Sequence, residues 1–298
     1  MIASRLGEFA ALATALCWTF GALAFEDACK RAGALAVNWI RLVMGFILLV
    51  LFCLVYRGLA FPTDASVQAW IWLSVSGVVG FAVGDWLLYK AFAEIGARIS
   101  MLVMASVPPI TALIGWVLLG ETLGALDLLG MTLTVGGIVF VVLERKTGEA
   151  KKVFIHSVRG VLLAFGGAVG QAVGLVLSKY GMGTYNAFAA TQVRMFAGAI
   201  GFSVILFLVR GWKPVGNAFR SRRVLFLIFL GAFFGAFLGV SFSLLAVQHT
   251  GTGVASTIMA IVPVLIIPPA MIFFKERVTF REVLGAIVAV LGVVLLFY

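Results

Sequence analysis

Charge is scarce in this chain. Asp, Glu, Lys and Arg make up 11% of its 298 residues, against about 25% in an ordinary soluble domain. A water-soluble surface cannot be built from so few charges, which excludes a soluble globular protein. Cysteine and histidine are scarce too. Cys17, Cys29 and Cys53 form no CxxC pair or other metal spacing and read as packing residues. Only His156 and His249 are present, with no HExxH, which argues against a zinc hydrolase, so neither metal nor cofactor is expected. No GxxxxGK[ST] run exists to cradle ATP phosphates.

The nearest catalytic look-alike is AVGD at 82–85, similar to the GxGD of intramembrane aspartyl proteases, but Ala82 stands where the first glycine is needed. Aspartyl chemistry also needs two carboxylates sharing a proton, and Asp27, Asp64 and Asp127 all lie near loops. The chain is not expected to be an enzyme.

What is present in excess is apolar sequence: 63% of residues are hydrophobic and the mean hydropathy is +1.15. The charges gather between apolar runs of about 20 residues, the length that spans a bilayer as a helix. The fold class expected is an all-α membrane protein of ten transmembrane helices, at 8–26, 35–56, 68–90, 97–119, 124–143, 158–180, 186–209, 223–247, 252–274 and 280–298. No signal peptide with a small-residue cleavage site is seen, so the first run reads as a retained span. The net charge of +10 would point to nucleic acid in a soluble protein. Here it reads as basic loops at an anionic membrane surface, and the bilayer, not nucleic acid, is the expected partner.

Two halves repeat, and they divide the chain into residues 1–145, a connecting loop at 146–157, and residues 158–298. A shift of 153 residues brings Gly7 onto Gly160, Gly21 onto Gly174 and Arg41 onto Arg194. After a two-residue insertion the shift is 155: Gly80 meets Gly235, Gly84 meets Gly239, Gly96 meets Gly251, Met104 meets Met259, Pro108 meets Pro263, and Glu121 meets Glu276. Unrelated glycine-rich helices would give scattered offsets. Five spans is an odd number, so the second half must enter the membrane from the opposite side. Such an inverted repeat is a secondary-transporter architecture that supports alternating access. Two fused halves already supply the two-fold unit, which favours a monomer. All Lys and Arg except Arg5, Arg41, Arg57, Lys179 and Arg194 fall in or beside one set of alternate loops. The positive-inside rule makes those loops cytoplasmic and turns both termini outward.

Pro108 and Pro109 in span 4, and Pro263 in span 9, each remove a backbone donor and should bend their helices at the pathway, as hinge or gate; a static kink that only improves packing is the other reading. Glycines at four-residue spacing in spans 3, 6 and 8 read as close helix contacts. The polar and aromatic residues inside spans differ between the halves: Trp18 aligns with Gln171, Asp85 with Val240, and Trp86 with Ser241. An asymmetric small molecule cannot be read by two identical half-sites. The pathway candidates are therefore Trp18, Asp85, Trp86, Tyr89, Gln171, Ser178, Ser241 and Ser243. Asp85 lies roughly 8 Å from the near end of its helix, at 1.5 Å per residue, and a central charge there costs about 2.5–3.5 kcal/mol. Its role is open between partner for a substrate ammonium, proton carrier and structural pair with a basic side chain. Arg41 and Arg194, being symmetric, read as structural intramembrane residues, capping carbonyls for instance.

Ten spans in two halves, an arginine early in spans 2 and 7, GWVLLGE (115–121) before LGMTLTVGGIVFV (129–141), and FFKE (273–276) before LGAIVAVLGVVLL (284–296) resemble the EamA branch of the drug/metabolite transporter superfamily. Within it the chain is most similar to the YddG-type amino acid exporters. Thr122 stands where the proline after GE is usual. The resemblance implies multi-pass insertion in a bacterial inner membrane and export of amino acids, including aromatic ones, and related amphipathic metabolites. It implies a cavity lined by spans 1, 3, 4, 6, 8 and 9, with spans 5 and 10 peripheral. A multidrug or cationic-dye exporter, in which Asp85 would be essential, is the alternative.

Overall fold

The computed structural model describes residues 5–119, 124–145, 152–154, 157–250, 252–275 and 278–296. The Glu121–Glu276 match, Thr122, Gly251, His156 and most of the connecting loop lie outside the described residues. The described chain is helical, apart from one short antiparallel pair between β1 (Leu143–Arg145) and β2 (Lys152–Phe154). β1 ends the residues assigned to the first half, and β2 falls within the connecting loop expected at 146–157.

The first half runs α1 (Leu6–Ala32), α2 (Ala34–Arg57), α3 (Val67–Gly77), a π-helical stretch (Val78–Gly84), α4 (Asp85–Met104), α5 (Val107–Leu119) and α6 (Ala125–Val142). The second runs α7 (Val158–Met182), α8 (Ala187–Leu208), α9 (Trp212–Ala218), α10 (Arg222–Gly231), a second π-helical stretch (Ala232–Gly239), α11 (Val240–Thr250), α12 (Thr252–Met259), α13 (Val262–Leu265), α14 (Ile267–Phe274) and α15 (Phe280–Leu296). Among the described residues, eight helices are long and apolar enough to cross a membrane. The protein is a multi-pass membrane protein whose outer surface of Phe9, Phe20, Val55, Leu162 and Phe207 suits lipid.

The count of eight differs from ten because α3, the π-helical stretch and α4 form one continuous stretch, Val67–Met104, that takes in the start of the expected span 4, and because α5 and α15 are short. The expected spans 4 and 9 are both broken helices, although span 9 is counted, as Ala255–Ile272. Gly96, at φ +80°, ends the third span inside α4. Its successor then stops at Ala105–Ser106 before resuming at Val107. In the second half the break falls at Ala260–Ile261, the same place after the shift of 155. Proline explains why each break lies just upstream of Pro108 and Pro263: the ring removes a donor and crowds the preceding turn, yet suits the first turn of a new helix. α15 has 17 described residues.

The two π-helical stretches are also equivalent across the repeat. Wider turns of this kind recur at functional sites, and this one re-aims the residues that follow Gly84 and Gly239.

Contacts between the halves exchange as a two-fold axis requires. Gly21 sits against Gly235, and the equivalent pair is Gly174 against Gly80. A Cβ on Gly21 would lie 3.0 Å from the Gly235 Cα, and one on Gly174 3.2 Å from the Gly80 Cα. Likewise Gly137 meets Gly285 and Ala289, while Gly292 meets Gly130 and Thr134. Lipid offers no hydrophobic drive between helices, so this backbone-to-backbone packing is what binds them. α6 and α15 pack chiefly against each other, and α15 also touches α5, α12 and α13.

Candidate functional site

Helices α1, α4, α7 and α11, with the broken helices, line a partly open cavity of about 140 Å³. That is close to the size of an engineered protein cavity that admits benzene. Its wall is mostly apolar: Phe25, Phe81, Tyr89, Phe92, Met101 and Met259 contribute. Both helix breaks open onto it through Ala105 and Pro108 on one side and Ala260 and Pro263 on the other.

One polar cluster interrupts this wall. Asp85, the first residue after the π-helical turn, pairs with Arg41 through Oδ2 and Nη2. Its other oxygen, Oδ1, accepts from Gln171 Nε2 at 2.6 Å. Arg41 Nε donates to Asn38 Oδ1 at 3.1 Å, and Asn38 Nδ2 donates to the Phe81 carbonyl at 3.0 Å. The chain from Gln171 to Phe81 thus ties α7, α4 and α2 to the π-helical stretch. Burial is nearly complete: Asp85 is 4% exposed and Arg41 2%. A buried pair is tolerable only when its remaining hydrogen-bonding capacity is filled, and here Gln171 and Asn38 fill it. Arg41 also lies 5.1 Å from the Tyr89 ring centroid and 5.4 Å from that of Phe81.

Arg194 is the repeat equivalent of Arg41 but has a different environment. It is 3% exposed and lines the same cavity. Its guanidinium stacks 4.2 Å over the Phe81 ring. Its Nε has no hydrogen-bond partner among the described residues, and Asp85 forms its ion pair with Arg41 instead.

Of the pathway candidates, Trp18, Asp85, Tyr89, Gln171 and Ser243 line the cavity, as do Pro108 and Pro263. The Ser243 hydroxyl donates to the Val240 carbonyl at 2.8 Å. Trp86, Ser178, Ser241 and Pro109 do not line it. Trp86 faces the other way, edge-on to Phe202 with the Lys90 ammonium 3.8 Å over its ring. Being adjacent to Asp85 on a helix, it must point about 100° away. Ser178 is a packing residue: its hydroxyl shares a 2.7 Å hydrogen bond with Ser76 and donates to the Gly174 carbonyl at 2.6 Å. Ser241 is buried with its Oγ unpartnered among the described residues. Both arginines line the cavity, and Arg41 bonds the side chains of Asp85 and Asn38.

Sequence reasoning missed Asn38, Phe25, Phe81 and Glu26. Glu26 is 1% exposed; it pairs with Lys30 and its Oε2 accepts from the Ala97 N–H at 2.8 Å. It therefore caps the helix that restarts after Gly96, an end whose N–H groups would otherwise be orphaned. Its position at the end of an apolar run was the available signal. Among the described residues no group of His, Cys, Asp and Glu has the arrangement of a metal site.

Known proteins bear on this geometry. One protein of Archaeoglobus fulgidus named an uncharacterized transporter is 24% identical over 96% of this chain and 95% of its own length. A second of the same name and organism is 29% identical over 120 residues, 40% of each chain. A crystal structure titled only as that of a protein superposes with a TM-score of 0.63 at 18% identity, covering 98% of this chain and 95% of that one, which shows a shared fold. Residues 5–143 and 158–298 each match the EamA-like transporter family, one match per half. The chain belongs to the EamA-like transporter family.

Proposed function

We propose that this transporter moves amino acids, aromatic ones included, and related small amphipathic metabolites by alternating access. The cavity carries this reading: an aromatic and methionine wall for an apolar body adjoins one compact polar cluster, at the place where two helices break. Ten spans in two inverted five-helix halves, with both termini outward in a bacterial inner membrane, are the arrangement we infer. The exchange of Gly21–Gly235 for Gly174–Gly80 supports the two-fold. Broken helices at matching positions are where such folds bind substrate, and Pro108 and Pro263 are our hinge residues. Trp18 and Tyr89 would contact the apolar part of the substrate; Gln171 and Ser243 would take polar groups. The reading as a cationic-dye exporter is weaker, because Asp85 is neutralised by Arg41 and a second guanidinium stands in the same cavity.

The test is uptake of labelled tryptophan, phenylalanine and threonine by proteoliposomes, with and without a pH gradient. Saturable uptake of at least one supports the reading. Movement of cationic dyes with no amino acid uptake overturns it.

A further inference from the structure

Among the described residues, the cavity holds two guanidinium groups and one carboxylate. Among the described carboxylates only Asp85 lines it, and Asp85 is committed on both oxygens, to Arg41 and to Gln171. Glu26 is committed to Lys30 and the Ala97 N–H. Arg194 is left as a cation buried in the membrane interior with the face of Phe81 on one side and the cavity on the other. An isolated intramembrane arginine costs several kcal/mol, and an aromatic face returns only part of that. Repeat symmetry sharpens the point. The half that supplies Arg41 also supplies its aspartate, whereas the position equivalent to Asp85 is Val240 in the half that supplies Arg194. Among the described residues, one counter-ion serves two equivalent arginines.

We propose that Arg194 is the anion-binding residue of this cavity, and that the molecules it takes are small monocarboxylates with an apolar body. The carboxylate would be held by the planar guanidinium fork, a geometry that favours bidentate carboxylate recognition. The apolar body would lie along Trp18, Phe25 and Phe92. An ammonium group is not required, because the one carboxylate that could meet it is already saturated. Deaminated aromatic acids are then accepted alongside amino acids, and amines that lack a carboxylate are not. This proposal rests on the cavity being the transport site.

The experiment is equilibrium binding of radiolabelled phenylacetate to the full chain in nanodiscs, with phenethylamine and L-phenylalanine as competitors. Saturable binding is expected, displaced by phenylalanine and not by phenethylamine. Arg194→Gln should weaken phenylacetate binding at least tenfold, and Arg194→Lys by a smaller factor, since it keeps the charge and loses the fork. No saturable binding to folded wild type, equal displacement by phenethylamine, or unchanged affinity in either variant overturns the proposal. Should the Gln variant not fold, the Lys variant decides. The transport reading fails separately. Phenylacetate bound through Arg194 with no uptake in proteoliposomes would refute transport of amino acids and keep the anion site. Phenylalanine uptake with an unchanged KM in Arg194→Lys would do the reverse.

Discussion

Arg41 and Arg194 occupy equivalent positions in the two halves, yet only Arg41 holds Asp85. The fold is symmetric at this point and its chemistry is not. The two halves share their backbone contacts, while among the described residues one carboxylate stands beside two equivalent arginines.

Removing the carboxylate should destabilise the protein. Asp85→Asn keeps the shape and leaves Arg41 as an unpaired buried cation, a class of change that costs about 3–5 kcal/mol. A clearly lowered Tm for Asp85→Asn in detergent is expected. Arg194→Gln should lower it much less, because no ion pair is lost. Equal losses in the two variants would contradict the different partners assigned to the two arginines.

Glycine substitutions separate helix contact from open space. A Cβ on Gly170 would lie 2.7 Å from the Gly84 Cα, where only backbone is available to give way. Gly170→Ala should cost about 1–3 kcal/mol, the usual penalty for overpacking, and reduce transport. At Gly136 nothing lies within 4 Å, so Gly136→Ala should leave Tm and transport unchanged.

Much of this was legible in the sequence, and the reason is periodic. Glycine, proline and arginine at constant offsets reported backbone constraints, which both halves must share. Pro108 and Pro263 marked the broken helices for that reason, although the break itself falls two or three residues upstream, where the ring's clash is felt. Side-chain direction was less legible. Trp86 and Ser178 look as polar or aromatic, and as asymmetric, as Trp18 and Gln171. Only the rotation of each helix decides which of them meets the cavity, and the π-helical turns shift that rotation by an amount no hydropathy pattern records. Asn38 was hidden because its partner is the Phe81 carbonyl freed in such a turn.

Glu26 should matter through backbone. Glu26→Ala removes the acceptor for the Ala97 N–H and leaves a buried donor unsatisfied, at about 1–3 kcal/mol. Glu26→Gln keeps an acceptor oxygen and should recover part of the stability. If Tm falls as far in the Gln variant as in the Ala variant, the carboxylate charge outweighs the cap.

The loops between α2 and α3 and between α7 and α8 are clasped by Asp64, Tyr185 and Arg57. The Tyr185 hydroxyl donates to Asp64 Oδ1 at 2.8 Å, and Arg57 pairs with the same carboxylate. Partial burial, then the hydrogen bond to Asp64, push the Tyr185 phenol up to about 12. Burial draws the Asp64 carboxyl upward, but the Tyr185 and backbone hydrogen bonds and the Arg57 charge outweigh it and hold it below its ordinary value. A lowered carboxyl contributes stability above the ordinary range near about 4, lost as pH falls through the lowered value. A raised phenol contributes below about pH 10, lost as pH rises through the raised value. The Tm difference between wild type and Tyr185→Phe should therefore be flat from about pH 5 to about pH 9 and shrink at both extremes. A difference that changes steeply near neutrality would contradict this clasp.

We propose that the cavity between the two helix breaks is the substrate pathway and opens to each side in turn. Ser243 lines it, and Cys17, Cys29 and Cys53 can be replaced by alanine to clear the background. The direct measurement is labelling of Ser243→Cys in sealed, oriented vesicles by a membrane-impermeant thiol reagent added from one side or the other, with and without L-phenylalanine. Labelling from both sides, slowed by the amino acid, is the predicted result. Labelling from a single side, at a rate no substrate alters, would make the cavity a fixed pocket and contradict the account.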